Sequence, residues 1–254
     1  GRKTHETHVM MSAGPFNNRS FTPFVVYAII AANLAVFAYQ LTLNDSSGLI
    51  FTLRNAVVPR AFFEPVWGIY NGIKPSDYWP FITSTFMHGG YLHILLNMFA
   101  LFTFGPALER RFGRIQFIAF YLICGVAAGA LHAYLNKQSS SPLVGASGAI
   151  AGAVAAYATL YPRQKLFVFP IPIAVPMWFL AIAFLSLQVY QVVQEMANPL
   201  EGGGIAWWAH IGGFVAGLVL LPLFLLLKPR NSAAGVRGGE ASETRATSEK
   251  GPWG

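Results

Sequence analysis

The chain has 254 residues, of which 54% are hydrophobic and only 11% are charged, and its net charge is +7. Soluble domains carry about 25% charged residues, so this composition excludes an ordinary soluble protein and indicates a membrane protein. The positive charge is explained by membrane topology and contact with anionic lipid. We do not expect nucleic-acid binding, because no basic patch with interleaved aromatic residues is present.

Six apolar runs follow one another along the chain and contain no Asp, Glu, Lys or Arg. Each is roughly long enough to cross a hydrocarbon layer about 30 Å thick, although the first is marginal. We therefore predict an all-α membrane protein with six transmembrane helices in one domain, residues 23–228. The six runs lie near residues 24–41, 90–108, 115–135, 143–161, 171–194 and 205–227.

The segments outside these runs differ in character. Residues 1–22 are polar and lack the apolar core of a signal peptide, so we expect a cytoplasmic N-terminal segment. Residues 42–89 form a long first loop rich in aromatic residues and Pro, which predicts a location in the membrane interface. Residues 229–254 are mostly small and charged, with little to bury, and are predicted to be a disordered cytoplasmic tail.

The distribution of basic residues predicts the orientation. In a six-span arrangement, thirteen of the seventeen Lys and Arg residues fall on the side that holds both termini. Positive residues favour the cytoplasmic side, so we expect both termini to be cytoplasmic. The expected location is a bacterial inner membrane, crossed several times.

Three short patches, His93–Asn97, Gly145–Gly148 and Ala209–Gly213, each begin an apolar segment that ends in positive charge. On a helical rise of about 1.5 Å per residue, the serine and the two histidines in these patches lie about 24 to 27 Å from those charged ends. A nucleophile, a base and a possible oxyanion donor would then share one depth in the membrane. This pattern suggests serine hydrolysis inside the membrane.

Ser147 is the candidate nucleophile and His210 the candidate base. Gly145 and Gly148 allow backbone to approach a substrate closely, and a helix start favours developing negative charge. By itself the serine motif is weak, because Ser147 could simply cap its helix. Ionisable residues within membrane spans are functional candidates by default, which strengthens the case for His210. Every Asp and Glu lies in a loop, a span end or the tail, so we predict a Ser–His dyad rather than a triad.

Two Gly-xxx-Gly pairs accompany these residues, Gly148 with Gly152 and Gly213 with Gly217. Small faces of this kind let two membrane helices approach closely, which would bring His210 within hydrogen-bond reach of Ser147. The alternative is that the glycines serve helix packing alone.

His93 and Asn97 are four residues apart and therefore share one helical face. Both could donate hydrogen bonds to an oxyanion, although Asn97 could instead link two helices. His88 does not share that face, and we interpret it as interfacial or structural.

The sequence resembles the rhomboid intramembrane serine proteases over about residues 20–228. The resemblance implies a six-helix bundle with a water-filled cavity open to the outer face. It implies Ser147 as nucleophile, His210 as base, and an oxyanion hole formed by the Ser147 backbone N–H with His93 and Asn97. The motifs that carry it are Tyr91–Phe99, Gly105–Gly113, Gly145–Gly152 and Trp208–Gly217.

The same resemblance implies transmembrane proteins as substrates and no metal or nucleotide cofactor. Two positions depart from the family pattern: Trp79 is followed by Pro80 rather than Arg, and Ala151 stands where many members have an aromatic residue stacked on the base. The imidazole is then held otherwise, for which Trp207 and Trp208 are candidates, or it is held loosely. The alternative function is a catalytically inactive rhomboid-like membrane chaperone or quality-control factor, although such proteins usually lack the serine or the histidine. The sequence leaves the natural substrate and the oligomeric state open.

Overall fold

The computed structural model describes residues 21–167, 173–197 and 206–227. The predicted N-terminal segment lies almost entirely outside the described residues, and the predicted tail does so completely. The helices are α1 (Phe24–Thr42), α2 (Asp45–Asn55), α3 (Pro59–Phe63), α4 (Pro65–Tyr70), α5 (Pro80–Thr83), α6 (Tyr91–Phe112), α7 (Arg114–Leu135), α8 (Ser147–Leu160), α9 (Met177–Ala197) and α10 (Trp207–Leu226). A short antiparallel hairpin, β1 (Lys165–Phe167) and β2 (Ala174–Pro176), precedes α9.

Five of these helices, α1, α6, α7, α9 and α10, are long and apolar enough to cross a membrane. The fourth predicted run behaves differently, because α8 has only 14 residues. Such a helix is about 21 Å long, which is less than the hydrocarbon thickness. The predicted run began at residue 143, but Leu143 forms an isolated β-bridge with Val57 and Gly145 has a φ of 128°. The count of six spanning helices therefore stays a prediction.

The long first connection, between α1 and α6, is built largely from short helices rather than from irregular loop. The longest, α2, begins where the Asn44 side chain accepts a hydrogen bond of 2.9 Å from the Ser47 backbone N–H. Several aromatic side chains of this connection are exposed, with Tyr70 at 91%. This exposure suits a membrane interface, although the interfacial location itself stays a prediction.

Helix α8 lies at the centre of the bundle. Ten of its 14 residues are buried, and most of them are Ala or Gly. It packs against α6, α7, α9 and α10. Small residues let neighbouring helices approach closely where lipid offers no hydrophobic driving force for their association. The first residue of this central helix is Ser147.

Glu109, near the end of α6, is a fully buried carboxyl group that caps a different helix. Its two oxygens accept hydrogen bonds from the backbone N–H groups of Val25 (3.1 Å) and Val26 (2.9 Å). The first N–H groups of a helix have no partner within the helix, and the residue before α1 is Pro23, which makes no side-chain cap. Glu109 thus takes the place of the missing cap and joins α1 to α6.

Glu109→Gln is expected to lower the free energy of unfolding by about 1–3 kcal/mol, because an amide offers one acceptor oxygen to two buried N–H donors. Thermal unfolding in a fixed detergent measures the effect. The control is Glu64→Gln, which removes a half-exposed ion pair with Arg60 and is expected to cost about 0–1 kcal/mol. Equal effects of the two substitutions would contradict the capping role.

Candidate active site

The backbone leading into α8 positions Ser147. The Gly145 N–H donates a hydrogen bond of 2.9 Å to the carbonyl oxygen of Ser84, which ties this segment to the first connection. A Cβ atom added at Gly145 would lie 2.7 Å from two atoms of the His93 ring and 3.6 Å from Ser147 Oγ. Together with its positive φ, this crowding requires glycine there. The bend at Gly145 thus places the His93 ring and the Ser147 hydroxyl on the same side of this residue, close to each other.

His210 reaches this point because α8 and α10 touch through their backbones. A Cβ atom added at Gly213 would collide with the Gly148 carbonyl, and one added at Gly217 would collide with the Gly152 carbonyl. Side chains at these positions would push the two helices apart. The α10 glycine pair therefore lies directly against the α8 backbone, whereas a Cβ atom at Gly148 or Gly152 would first meet Ala128 or Cys124 of α7.

The result is a hydrogen bond of 2.8 Å between Ser147 Oγ and His210 Nε2. These residues are 63 positions apart in the chain. The bond joins the first turn of α8 to the first turn of α10.

The other ring nitrogen, His210 Nδ1, lies 2.7 Å from Oε1 of Gln188 on α9. The Gln188 side chain is only 3% exposed, and its Nε2 donates a hydrogen bond of 3.1 Å to the carbonyl oxygen of Phe184. The sequence pattern did not single out Gln188. The only signal was a polar amide within an apolar run that also contains Gln191 and Gln194, and periodicity alone does not select among them.

Two aromatic rings flank the imidazole. The ring centres of Phe184 and Trp207 lie 6.1 and 6.2 Å from that of His210. Of the two tryptophans suggested from the sequence, Trp207 thus makes an edge-on contact, and Phe184 is an addition from α9. Ala151 is itself buried, at 1% exposure. The imidazole is therefore enclosed from α9 and α10 without an aromatic residue at position 151.

The candidate oxyanion residues lie on the first two turns of α6. His93 is beside Gly145, and its Nδ1 accepts a long hydrogen bond of 3.4 Å from the Gly89 N–H. Asn97 is 6% exposed, and its Nδ2 is a buried donor that has no partner among the described residues. An unpaired buried amide is costly, so it calls for an explanation such as a bound oxyanion.

His88 is more closely connected to this cluster than its sequence position indicated. It is 2% exposed, and its ring packs edge-on against His93 with the ring centres 5.0 Å apart. The Gln40 side chain fixes its backbone, accepting from the His88 N–H and donating to the His88 carbonyl. Burial, and secondarily the neighbouring His93, lower the pKa of His88 to about 4, so its ring is neutral at neutral pH.

The water-filled cavity that the resemblance implies stays a prediction. A cavity of about 440 Å³ lies in the first connection, and none of the predicted site residues lines it. Its walls are formed by Leu53, Arg54, Asn55, Gly72, Ile73, Lys74, Asp77 and Pro80.

Comparison with known proteins shows which family the chain belongs to. Residues 75–227 match the family model described as the rhomboid domain, which covers more than half of the chain. The chain belongs to the rhomboid family. Its long apolar helices together with this family membership indicate an integral membrane protein, and its helical bundle is consistent with a rhomboid bundle.

Three relatives of this rhomboid show the extent of the similarity. It is 27% identical to RHOMBOID-like protein 4 of Arabidopsis thaliana over 89% of this chain and 58% of that protein. It is 28% identical to rhomboid protease AarA of Providencia stuartii over 84% of this chain and 79% of that protein. Against rhomboid protease GlpG of Haemophilus influenzae, the identity is 26% over 58% of this chain and 69% of that protein. The chain thus spans little more than half the length of the plant relative and more of the bacterial ones.

Ala151→Phe is expected to destabilise this rhomboid by about 1–3 kcal/mol, because Ala151 is already buried and the imidazole already has neighbours. The thermal midpoint measures the change. Ala183→Phe, the same substitution at an exposed position on α9, is the control and is expected to leave the midpoint nearly unchanged. A midpoint for Ala151→Phe that is equal to or above that of the parent protein would show that an aromatic ring fits there.

Proposed function

We propose that this rhomboid is an intramembrane serine endopeptidase that cleaves transmembrane proteins near the outer face of the membrane. The hydrogen bond between Ser147 Oγ and His210 Nε2 is the observation that carries the proposal. A serine hydroxyl needs a base to become a nucleophile, and histidine is the usual one. The names of AarA and GlpG, both rhomboid proteases, agree with it.

In this mechanism His210 Nε2 takes the Ser147 hydroxyl proton as Oγ attacks the scissile carbonyl carbon. The carbonyl oxygen becomes an oxyanion near the N-terminus of α8, where the helix dipole and free backbone N–H groups favour negative charge. Asn97 Nδ2 and His93 would donate to the same oxygen. The imidazolium then gives its proton to the leaving amine nitrogen, and water releases the acyl group from Ser147 by the reverse sequence.

The buried donor of Asn97 supports its place in the oxyanion hole. The close contacts around Gly148, Gly152, Gly213 and Gly217 support a packing role for these four glycines. The positive φ of Gly145 supports its role in the turn before Ser147. For orientation, we propose cytoplasmic termini in a bacterial inner membrane, from the distribution of basic residues. We also propose residues 23–228 as the protease domain.

Ser147→Ala is expected to abolish cleavage of a model transmembrane substrate and labelling by a fluorophosphonate probe, because the attacking oxygen is lost. The thermal midpoint is expected to change little, since Ala suits this small-residue helix. The control, Ser186→Ala, makes the same change at an exposed position on α9 and is expected to retain activity. Cleavage by Ser147→Ala at the parent rate would disprove the proposal. A folded parent protein that neither cleaves nor is labelled would favour the inactive chaperone-like alternative.

Asn97→Ala is expected to lower kcat by about 10²–10³, the usual cost of losing one oxyanion donor, with a smaller change in KM. Steady-state cleavage in detergent gives both constants. Asn33→Ala is the control, because this buried amide donates to the Ile29 carbonyl of its own helix, at 2.7 Å. If Asn97→Ala lowers the thermal midpoint but keeps kcat per folded molecule, Asn97 links helices instead.

A further inference from the structure

The Gln188 amide is a buried polar group on α9 that the two-residue mechanism does not use. We propose that Gln188 is a positioning residue for His210: a neutral amide that fixes the imidazole in the tautomer able to accept the Ser147 proton. The inference rests on the proposed protease function and adds Gln188 to the pair Ser147 and His210. Gln188 would hold the base in a chain where Ala151 provides no aromatic ring.

The directions of the hydrogen bonds follow from the chemistry of the groups. The Phe184 carbonyl oxygen can only accept, so the Gln188 nitrogen, 3.1 Å away, must face it. The Gln188 oxygen must then face His210 Nδ1, which lies 2.7 Å away and has to carry the ring proton. In neutral imidazole the other nitrogen is left with its lone pair. His210 Nε2 therefore accepts from the Ser147 hydroxyl, at 2.8 Å.

The amide suits a membrane interior better than a carboxylate would. Soluble serine proteases place an Asp at this point, and its charge must be buried together with the histidine. Gln188 is 3% exposed on a helix with mean hydropathy 1.4, where a charge would be expensive. The amide oxygen of Gln188 is also an acceptor but carries no full charge. The amide nitrogen donates to the Phe184 carbonyl oxygen, one turn earlier in the same helix.

One face of α9 supplies both kinds of support. Phe184 and Gln188 are four residues apart and share that face, with the Phe184 ring 6.1 Å from the imidazole and the Gln188 oxygen bonded to it. The ring limits tilting of the imidazole, and the hydrogen bond limits its rotation about the χ2 bond. Together they do what the missing aromatic residue at position 151 does not.

The support is expected to act mainly in the transition state. When Nε2 takes the serine proton, His210 becomes an imidazolium, and the bond from Nδ1–H to the Gln188 oxygen becomes charge-assisted. Such bonds are roughly twice as strong as neutral ones. An interaction that strengthens only as the reaction proceeds raises kcat and leaves KM nearly unchanged.

Three variants test the role in the intact 254-residue chain. Gln188→Met keeps the length of the side chain but has no comparable acceptor, and kcat is expected to fall about 10–100-fold while KM stays within about twofold. Gln188→Glu keeps an acceptor at the same place and is expected to recover most of that loss. Gln194→Met, the same change at an exposed position of α9, is expected to match the parent protein. Parent-like kcat for Gln188→Met would overturn the proposal, and so would a lower thermal midpoint with unchanged kcat per folded molecule.

A second measurement does not depend on proteolysis. In the Ser147→Ala background, ¹⁵N NMR of labelled histidine reports which ring nitrogen carries the proton, with His210→Asn used to assign the signal. We expect the proton on Nδ1 in the otherwise unchanged protein and a mixture of tautomers in Gln188→Met. A proton on Nε2 while Gln188 is present would overturn the proposal whether or not the protein is a protease. A proton on Nδ1 in a protein that cleaves nothing would support the positioning role and reject the protease function.

Discussion

Backbone contact between α8 and α10 is the constraint on which the rest of the site depends. Gly213 and Gly217 of α10 lie so close to the backbone of Gly148 and Gly152 that a carbon added at either α10 glycine would collide with α8. Lipid offers these helices no hydrophobic reason to associate, so close packing of small residues has to hold them. Ser147 and His210 then meet because each lies in the first turn of its helix, at the same end of this contact.

The need to satisfy buried polar groups shapes the surroundings of that contact. Glu109 accepts from the start of α1, and Gln188 accepts from His210 while donating within its own helix turn. Asn97 keeps one donor without a partner among the described residues. In an apolar interior an unpaired group of this kind is expensive. Two of these three polar side chains are therefore satisfied within the protein, and the third donates to the oxyanion in the proposed mechanism.

The elements around α8 also show why a central helix can be short. The chain reaches Ser147 through a β-bridge between Val57 and Leu143 and through the positive φ of Gly145. The partner in the bridge, Val57, belongs to the first connection. The short helices of that connection pack against the bundle, and the connection is not an irregular loop. Ser147, the proposed nucleophile, thus begins a helix within the bundle, where the first N–H groups have no partner inside their own helix.

The sequence by itself determined the membrane character, the approximate position of the apolar helices and the residues around which the site is built. Those features depend on composition and on local spacing, which a linear pattern records. It did not determine where α8 starts, that the first connection is largely helical, that His88 packs against His93, or that Gln188 meets His210. These features depend on contacts between residues far apart in the chain. The sequence alone does not distinguish among the three glutamines of α9, because it does not show which face of that helix packs against the bundle. Only the tertiary structure selects among them, because packing against α8 and α10 decides which face of α9 turns inward.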